Sequence, residues 1–237
     1  MEVTTVPEHR ELNELEFDFE FEPNQKLVYH LAKREMIDFI YNTTALEGNP
    51  FTYVEVQTLL EGVTVGGHRL SDEQQILNQN RAVNFLFESV KRGEFNLSLE
   101  FVNRVNSLVA FEEALEWGRF RSGEVSIGGS YFKPPKSSEL EDIFGIGVRE
   151  LKKVTHPIKR AIGYFLFGAL NQFHFDGNKR TSRLIMNGLL ISNGYPILNI
   201  KVRDKLEFNK QMIAFYDSQN YTRAISYLLE YYKEQNG

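Results

Sequence analysis

Between Asp176 and Arg183 the chain places a carboxylate, a glycine, an amide and three cations: Asp176, Gly177, Asn178, Lys179, Arg180 and Arg183. A strong helical pattern follows at once, with Leu184, Ile185, Met186, Leu189, Leu190 and Ile191. The polar cluster therefore falls at a helix N-terminus, where free backbone N–H groups and the positive end of the dipole favour an anion. Arg180 and Arg183 are three apart and share a helix face, so both guanidiniums are expected to reach one polyphosphate. Gly177 lets the backbone approach closely. Asp176 would repel phosphate unless a divalent cation such as Mg²⁺ lies between them. The chemistry that fits is a Mg-nucleotide site.

These residues resemble the Fic family motif, H-x-F-x-D/E-G-N-G/K-R-x-x-R, which Asp176, Gly177, Asn178, Lys179, Arg180 and Arg183 match in order. Two positions depart from it. Gln172 stands where the family has its catalytic histidine, and His174 where it has a buried phenylalanine. The segment Gly118–Pro135 resembles the family's flap, a hairpin that aligns a target segment beside the site. Thr43-Thr44-Ala45-Leu46-Glu47-Gly48 resembles the inhibitory motif S/T-x-x-x-E-G/N. The resemblance implies that Glu47 pairs with Arg183 and takes it from the ATP γ-phosphate; Thr43 and Gly48 are the other inhibitory-motif positions, and Thr43 and Glu47, four apart, share a helical face. One carboxylate then replaces a phosphate as the partner of a guanidinium.

The resemblance implies a protein adenylyltransferase that uses ATP and Mg²⁺, the latter on Asp176. The family's histidine takes the proton of a target Ser, Thr or Tyr hydroxyl, which attacks the α-phosphorus; AMP is transferred and pyrophosphate leaves. A carboxamide does not titrate near neutral pH, so Gln172 removes the base, a loss of about 10²–10⁴-fold in rate. Two readings of His174 stand. If residues 172–175 are extended, His174 points to the same side as Gln172 and substitutes as base. Otherwise it fills the phenylalanine slot as a core histidine. Three functions follow: an adenylyltransferase braked by Glu47, a catalytically silent nucleotide-binding relative, or a kinase. The last is motivated by Lys179, which replaces the commoner glycine and is shared with the Doc subgroup.

The elements that position these residues are helical. Val28, Ala32, Met36 and Ile40 recur every four residues from Gln25 onward. Thr52 with Glu55 forms a capping box and Gly62 ends that helix. Ser71 with Gln74 opens a helix to about Gly93, Leu97–Phe111 reads as another, and Ser138 with Glu141 opens one more. Pro157 starts a helix that ends near Asn171, and Asn193-Gly194 closes the motif helix. Two helices over about 205–217 and 220–234 complete the chain. Between Trp117 and Pro135, Gly123 and Gly128-Gly129 break an alternating pattern, which predicts a short β-hairpin. In the acidic arm, Phe17, Phe19 and Phe21 alternate with carboxylates and admit a short strand. The expected fold is all-α, a Fic-like helical bundle with one β-hairpin flap. Its expected parts are an arm (1–24), a helical region carrying the inhibitory motif (25–95), and a Fic core (96–237) with flap (118–135) and motif (172–183).

Composition narrows the classes. The 237 residues carry a formal charge of −5, which argues against nucleic acid as the main partner. No apolar run reaches the roughly 18 residues of a membrane span. The N-terminal residues show no secretory pattern, and there is no cysteine for disulfide, thiolate or zinc chemistry. A cytoplasmic protein is the expectation. The expected partner is a target protein docked along the flap, and the resemblance leaves a homodimer open.

Overall fold

Apolar spacing and capping residues divide the chain into eleven α-helices among the residues described, 5–237, of the computed structural model. They are α1 (His9–Glu14), α2 (Gln25–Arg34), α3 (Met36–Leu46), α4 (Tyr53–Leu60), α5 (Leu70–Lys91) and α6 (Leu99–Val109), followed by α7 (Leu140–Lys152), α8 (Pro157–Asn171), α9 (Asn178–Ser192), α10 (Lys205–Ser218) and α11 (Tyr221–Asn236). Residues 1–4 of the expected arm lie outside the described residues.

α8 and α9 are the centre, because both are buried on every side. A helix buried all round requires neighbours all round, apolar ones for α8 and polar partners as well for the first turns of α9. α1, α7 and α11 cover α8, while α2, α5 and α6 cover α9. The two central helices approach closely at Gly168, where an added Cβ would lie 2.1 Å from Ser182 Oγ. This antiparallel pair presents its connecting loop, Gln172–Gly177, at one end of the bundle, and that loop carries the motif.

Capping explains most helix starts. Pro157 occupies the first turn of α8, and His156 Nδ1 accepts the N–H of Ile158. Thr52 and Glu55 form the expected box on α4. Some boundaries differ from the sequence expectation. The four-residue apolar repeat after Gln25 is broken at Glu35, which separates α2 from α3. α5 begins at Leu70 because Asp72 accepts the N–H of Arg69, so the Ser71–Gln74 pair is not the cap. Ser98 caps α6, and the helix starts two residues later than expected. A 3₁₀ turn over Ser137–Glu139 precedes α7.

The β-hairpin flap is a correction: no strand occurs among the described residues, and residues 118–135 form an irregular loop. One buried side chain supplies what a ladder would have supplied. Arg121 Nε donates to Gln172 O at 2.7 Å, Nη1 to Gly123 O at 2.6 Å, and Nη2 to Pro135 O. Its backbone N–H donates to Phe173 O at 2.9 Å. The guanidinium thus ties both ends of the loop to each other and to the motif loop. Pro134 and Pro135 lack the N–H groups that a paired return strand would use. The described residues of the arm form no strand either. Phe17, Phe19 and Phe21 instead stack along one side, with 6.0 Å between successive rings, and Phe19 lies against Tyr232.

Candidate functional site

Gln172 ends α8 in the left-handed conformation, with φ 47°. The loop is therefore not extended at this residue. Its carboxamide is spent locally: Nε2 donates to Ala169 O at 2.7 Å, and Oε1 accepts from Asn178 Nδ2 at 3.0 Å. Asn178 also donates to His174 O at 2.7 Å and accepts the His174 N–H at 2.9 Å. One asparagine side chain closes the whole motif loop. Asn106 on α6 braces it from outside, donating to Asp176 O and Thr181 Oγ1 and accepting the N–H of Gly118. Gly177 adopts φ 74° with Val109 and Ala110 within 3.0 and 3.3 Å of where a Cβ would stand, so both conformation and space require glycine.

His174 is a correction. It is buried, its Nε2 lies 3.0 Å from Asn103 Oδ1, and its ring packs edge-on against Phe120. Burial pushes the imidazole down to about pH 3, against a smaller opposing pull from Asn178. An imidazole that stays neutral and faces the interior is not a substitute base. The extended geometry that would have placed it beside Gln172 is lost at the left-handed Gln172.

The cations are all engaged. Arg183 is buried, and its Nη2 meets Glu47 Oε1 at 2.9 Å while Nη1 contacts Thr43 O at 3.5 Å. Phe165 and Phe208 flank its guanidinium at 5.9 and 5.5 Å. Lys179 Nζ meets the other Glu47 oxygen at 2.8 Å. Arg180 turns elsewhere, to Glu113 at 2.9 Å and Val109 O at 3.2 Å, with Asp176 farther off at 3.8 Å. The expectation that Arg180 and Arg183 converge is therefore modified: in this state each guanidinium faces its own carboxylate. Glu47 sits at the end of α3, and Gly48 reverses the chain behind it with φ 98°. Burial would raise the Glu47 carboxyl, but Arg183 and Lys179 overcome it and hold it down at about 2.

A cavity of about 200 Å³ opens over the N-terminus of α9, lined by Glu47, Gln172, Asp176, Gly177, Lys179 and Arg180 among others. No described hydrogen bond uses the backbone N–H groups of Asn178, Lys179 or Arg180, so they remain available to an anion. A second cavity of about 350 Å³ lies between the flap at Ser126–Gly128 and α10 at Asn209, Met212, Ile213 and Tyr216. Gln172 and Lys179 line both. Asp176 is exposed at the rim and accepts the Gly177 N–H at 2.5 Å. A single exposed carboxylate oxygen fits Mg²⁺, which takes one or two protein carboxylates and completes its shell with phosphate and water. No cluster of three acidic or histidine ligands exists among the described residues for a cation held by protein alone.

Sequence reasoning missed Glu113, Asn106, Arg121 and Tyr216. Glu113 and Asn106 come from a distant segment with no motif of their own. The signal for Glu113 was indirect: a buried Arg180 needs a buried acceptor. The Tyr216 hydroxyl is buried without a partner among the described residues, close enough to Glu47 that the carboxylate, after burial itself, raises its pKa.

No family model matches the chain. Among curated proteins, the chain is 30% identical over 187 residues to Protein adenylyltransferase Fic of Drosophila ananassae, and the match covers 75% of this chain and 36% of that protein. The corresponding protein of Aedes aegypti is 26% identical over 183 residues, covering 74% and 36%. The chain thus spans little more than a third of the curated relatives it matches. Among solved structures, Fic-1 from C. elegans superposes with a TM-score of 0.76 at 19% identity, covering 96% of this chain and 67% of that one. IbpAFic2, solved covalently tethered to Cdc42, superposes with a TM-score of 0.52 at 12% identity, covering 90% and 72%. No helix among the described residues is long and apolar enough to cross a membrane.

Proposed function

The chain belongs to the Fic family, and on that premise we propose that it is an ATP-binding protein of the adenylyltransferase type whose anion site is braked by Glu47 and whose transfer step has no general base. One observation carries this reading: a single carboxylate, Glu47, occupies both cations that otherwise face the free N–H groups of α9. In the open state Glu47 swings away, and Lys179, Arg183 and the α9 N-terminus receive the phosphates. Asp176 would hold Mg²⁺, which when bound offsets phosphate charge. The cavity between flap and α10 takes the rest of the nucleotide.

The protein's own residues bind and orient; they do not take the proton. For transfer to occur, a target hydroxyl oxygen forms the bond to the α-phosphorus, the bond to the β-phosphate oxygen breaks, and pyrophosphate leaves. The hydroxyl proton then goes to water, because Gln172 is committed to Ala169 and Asn178 and His174 is buried. Positioning and charge stabilisation survive this loss, so slow transfer rather than none is the consequence. The target is a protein segment laid along residues 122–130, whose backbone N–H and C=O groups are mostly unpaired.

The experiment is incubation of Glu47→Gly protein with α-labelled and, separately, γ-labelled ATP and Mg²⁺. Slow labelling from the α-phosphate alone supports AMP transfer without a base. Label from γ alone would replace the reading with a kinase. No label together with measurable ATP binding assigns the site to binding only.

A further inference from the structure

The brake in this protein has two anchors, and they differ in exposure. Arg183 is sealed: its side chain is 2% exposed and wedged between Phe165 and Phe208. Lys179 is 32% exposed and lines both cavities. Each takes a different oxygen of Glu47, at 2.9 and 2.8 Å. Among the described residues Lys179 has no other ion-pair partner.

Resting on the nucleotide-site reading above, we propose that Lys179 is the second anchor of the Glu47 brake and the residue at which an incoming polyphosphate first opens it. Arg180 is not free for this, because Glu113 and Val109 O hold it. Arg183 is not reachable while Glu47 covers it. Lys179 alone combines a full charge, contact with Glu47 and access to solvent. Its flexible four-carbon stem can turn from carboxylate to phosphate, whereas a stacked planar guanidinium cannot follow. Phosphate draws Lys179 off one Glu47 oxygen. The remaining Glu47–Arg183 pair then holds the carboxylate with a single cation, and a second phosphate oxygen displaces it. Lys179 thus works on both sides of one equilibrium, against the ligand when closed and for it when open.

This double role has a signature that a simple phosphate ligand lacks. Calorimetry with Mg-ATP and with inorganic tripolyphosphate is run on wild type, Lys179→Met, Glu47→Gly and the double variant. In the Glu47→Gly background, Lys179→Met is expected to weaken binding about tenfold, the loss of one charge-assisted hydrogen bond. In the wild-type background the loss is offset by a loosened brake, so the two effects differ by about fivefold or more. Lys179→Arg is expected to keep the coupling. Equal fold-changes in both backgrounds overturn the proposal and leave Lys179 a plain ligand. If no variant binds either probe, the nucleotide reading itself fails. The anchor is then read without ligand, from amide exchange over Thr43–Asn49: faster exchange in Lys179→Met supports it, and unchanged exchange overturns it.

Discussion

Asn178 Nδ2 lies 3.0 Å from Gln172 Oε1, so the residue at the position of the family's base is bonded to the loop it belongs to. The same carboxamide donates to Ala169 O, so one of its N–H donors and one of its acceptor sites are already used within the loop. The position has become a structural one. Restoring an imidazole there with Gln172→His, in the Glu47→Gly background, is expected to raise α-phosphate labelling by about 10²–10⁴-fold. An unchanged rate with ATP still bound would mean that the missing base is not the only lesion.

His174 titrates in the unfavourable direction for an acid-stable core. Its folded pKa, about 3, lies below the ordinary histidine value because burial disfavours the charged form. As pH falls from about 6.5 toward 3, the unfolded chain takes up a proton that the folded chain refuses. Stability therefore falls by about 1.4 kcal/mol per pH unit from this group alone. His174→Phe is expected to flatten the denaturation free energy over that window by about one proton. An identical slope in the variant would show that His174 is not buried neutral.

Glu47 has a depressed pKa, about 2, so the sign runs with carboxylates. Its contribution is complete above about pH 4.5 and is lost as pH falls toward 2. Removing the side chain leaves Arg183 buried without its carboxylate, with Nε already unpartnered among the described residues. Glu47→Gly is expected to lower stability by about 3 kcal/mol in phosphate-free buffer. Tripolyphosphate should restore part of it, since a ligand that binds only the folded state stabilises by mass action. Thermal unfolding with and without the anion checks both halves.

Arg121 holds the flap loop by four hydrogen bonds to backbone. Arg121→Met leaves three part-buried carbonyls short of a donor and removes a buried side chain, and is expected to cost about 2–4 kcal/mol. Amide exchange should accelerate over residues 118–135 while α9 keeps its protection. Uniform acceleration across α8 and α9 would instead show that Arg121 is an ordinary core residue.

The helical bundle was largely legible in the sequence because periodicity and caps are local: Thr52 with Glu55, Pro157 and the apolar run after Arg183 each fix an element from its own residues. The motif loop and the approach of Glu47 to Arg183 were legible only through resemblance, since 136 residues separate the pair. What was not legible depends on contacts between distant segments. The alternation in 118–135 suggested strands, yet Arg121 and two prolines replaced the ladder. Gln172 and His174 could not be oriented until the left-handed turn at Gln172 was known. The Arg180–Glu113 pair was likewise not legible, because Glu113 lies in an unpatterned segment.

Competition at one site is the central claim, and calorimetric titration of wild type and Glu47→Gly with Mg-ATP tests it most directly. The expected result is weak or absent binding by wild type and at least about tenfold tighter binding by the variant, because a carboxylate no longer holds Lys179 and Arg183. Equal affinities in the two proteins, or no binding by a folded Glu47→Gly protein at millimolar nucleotide, would contradict it.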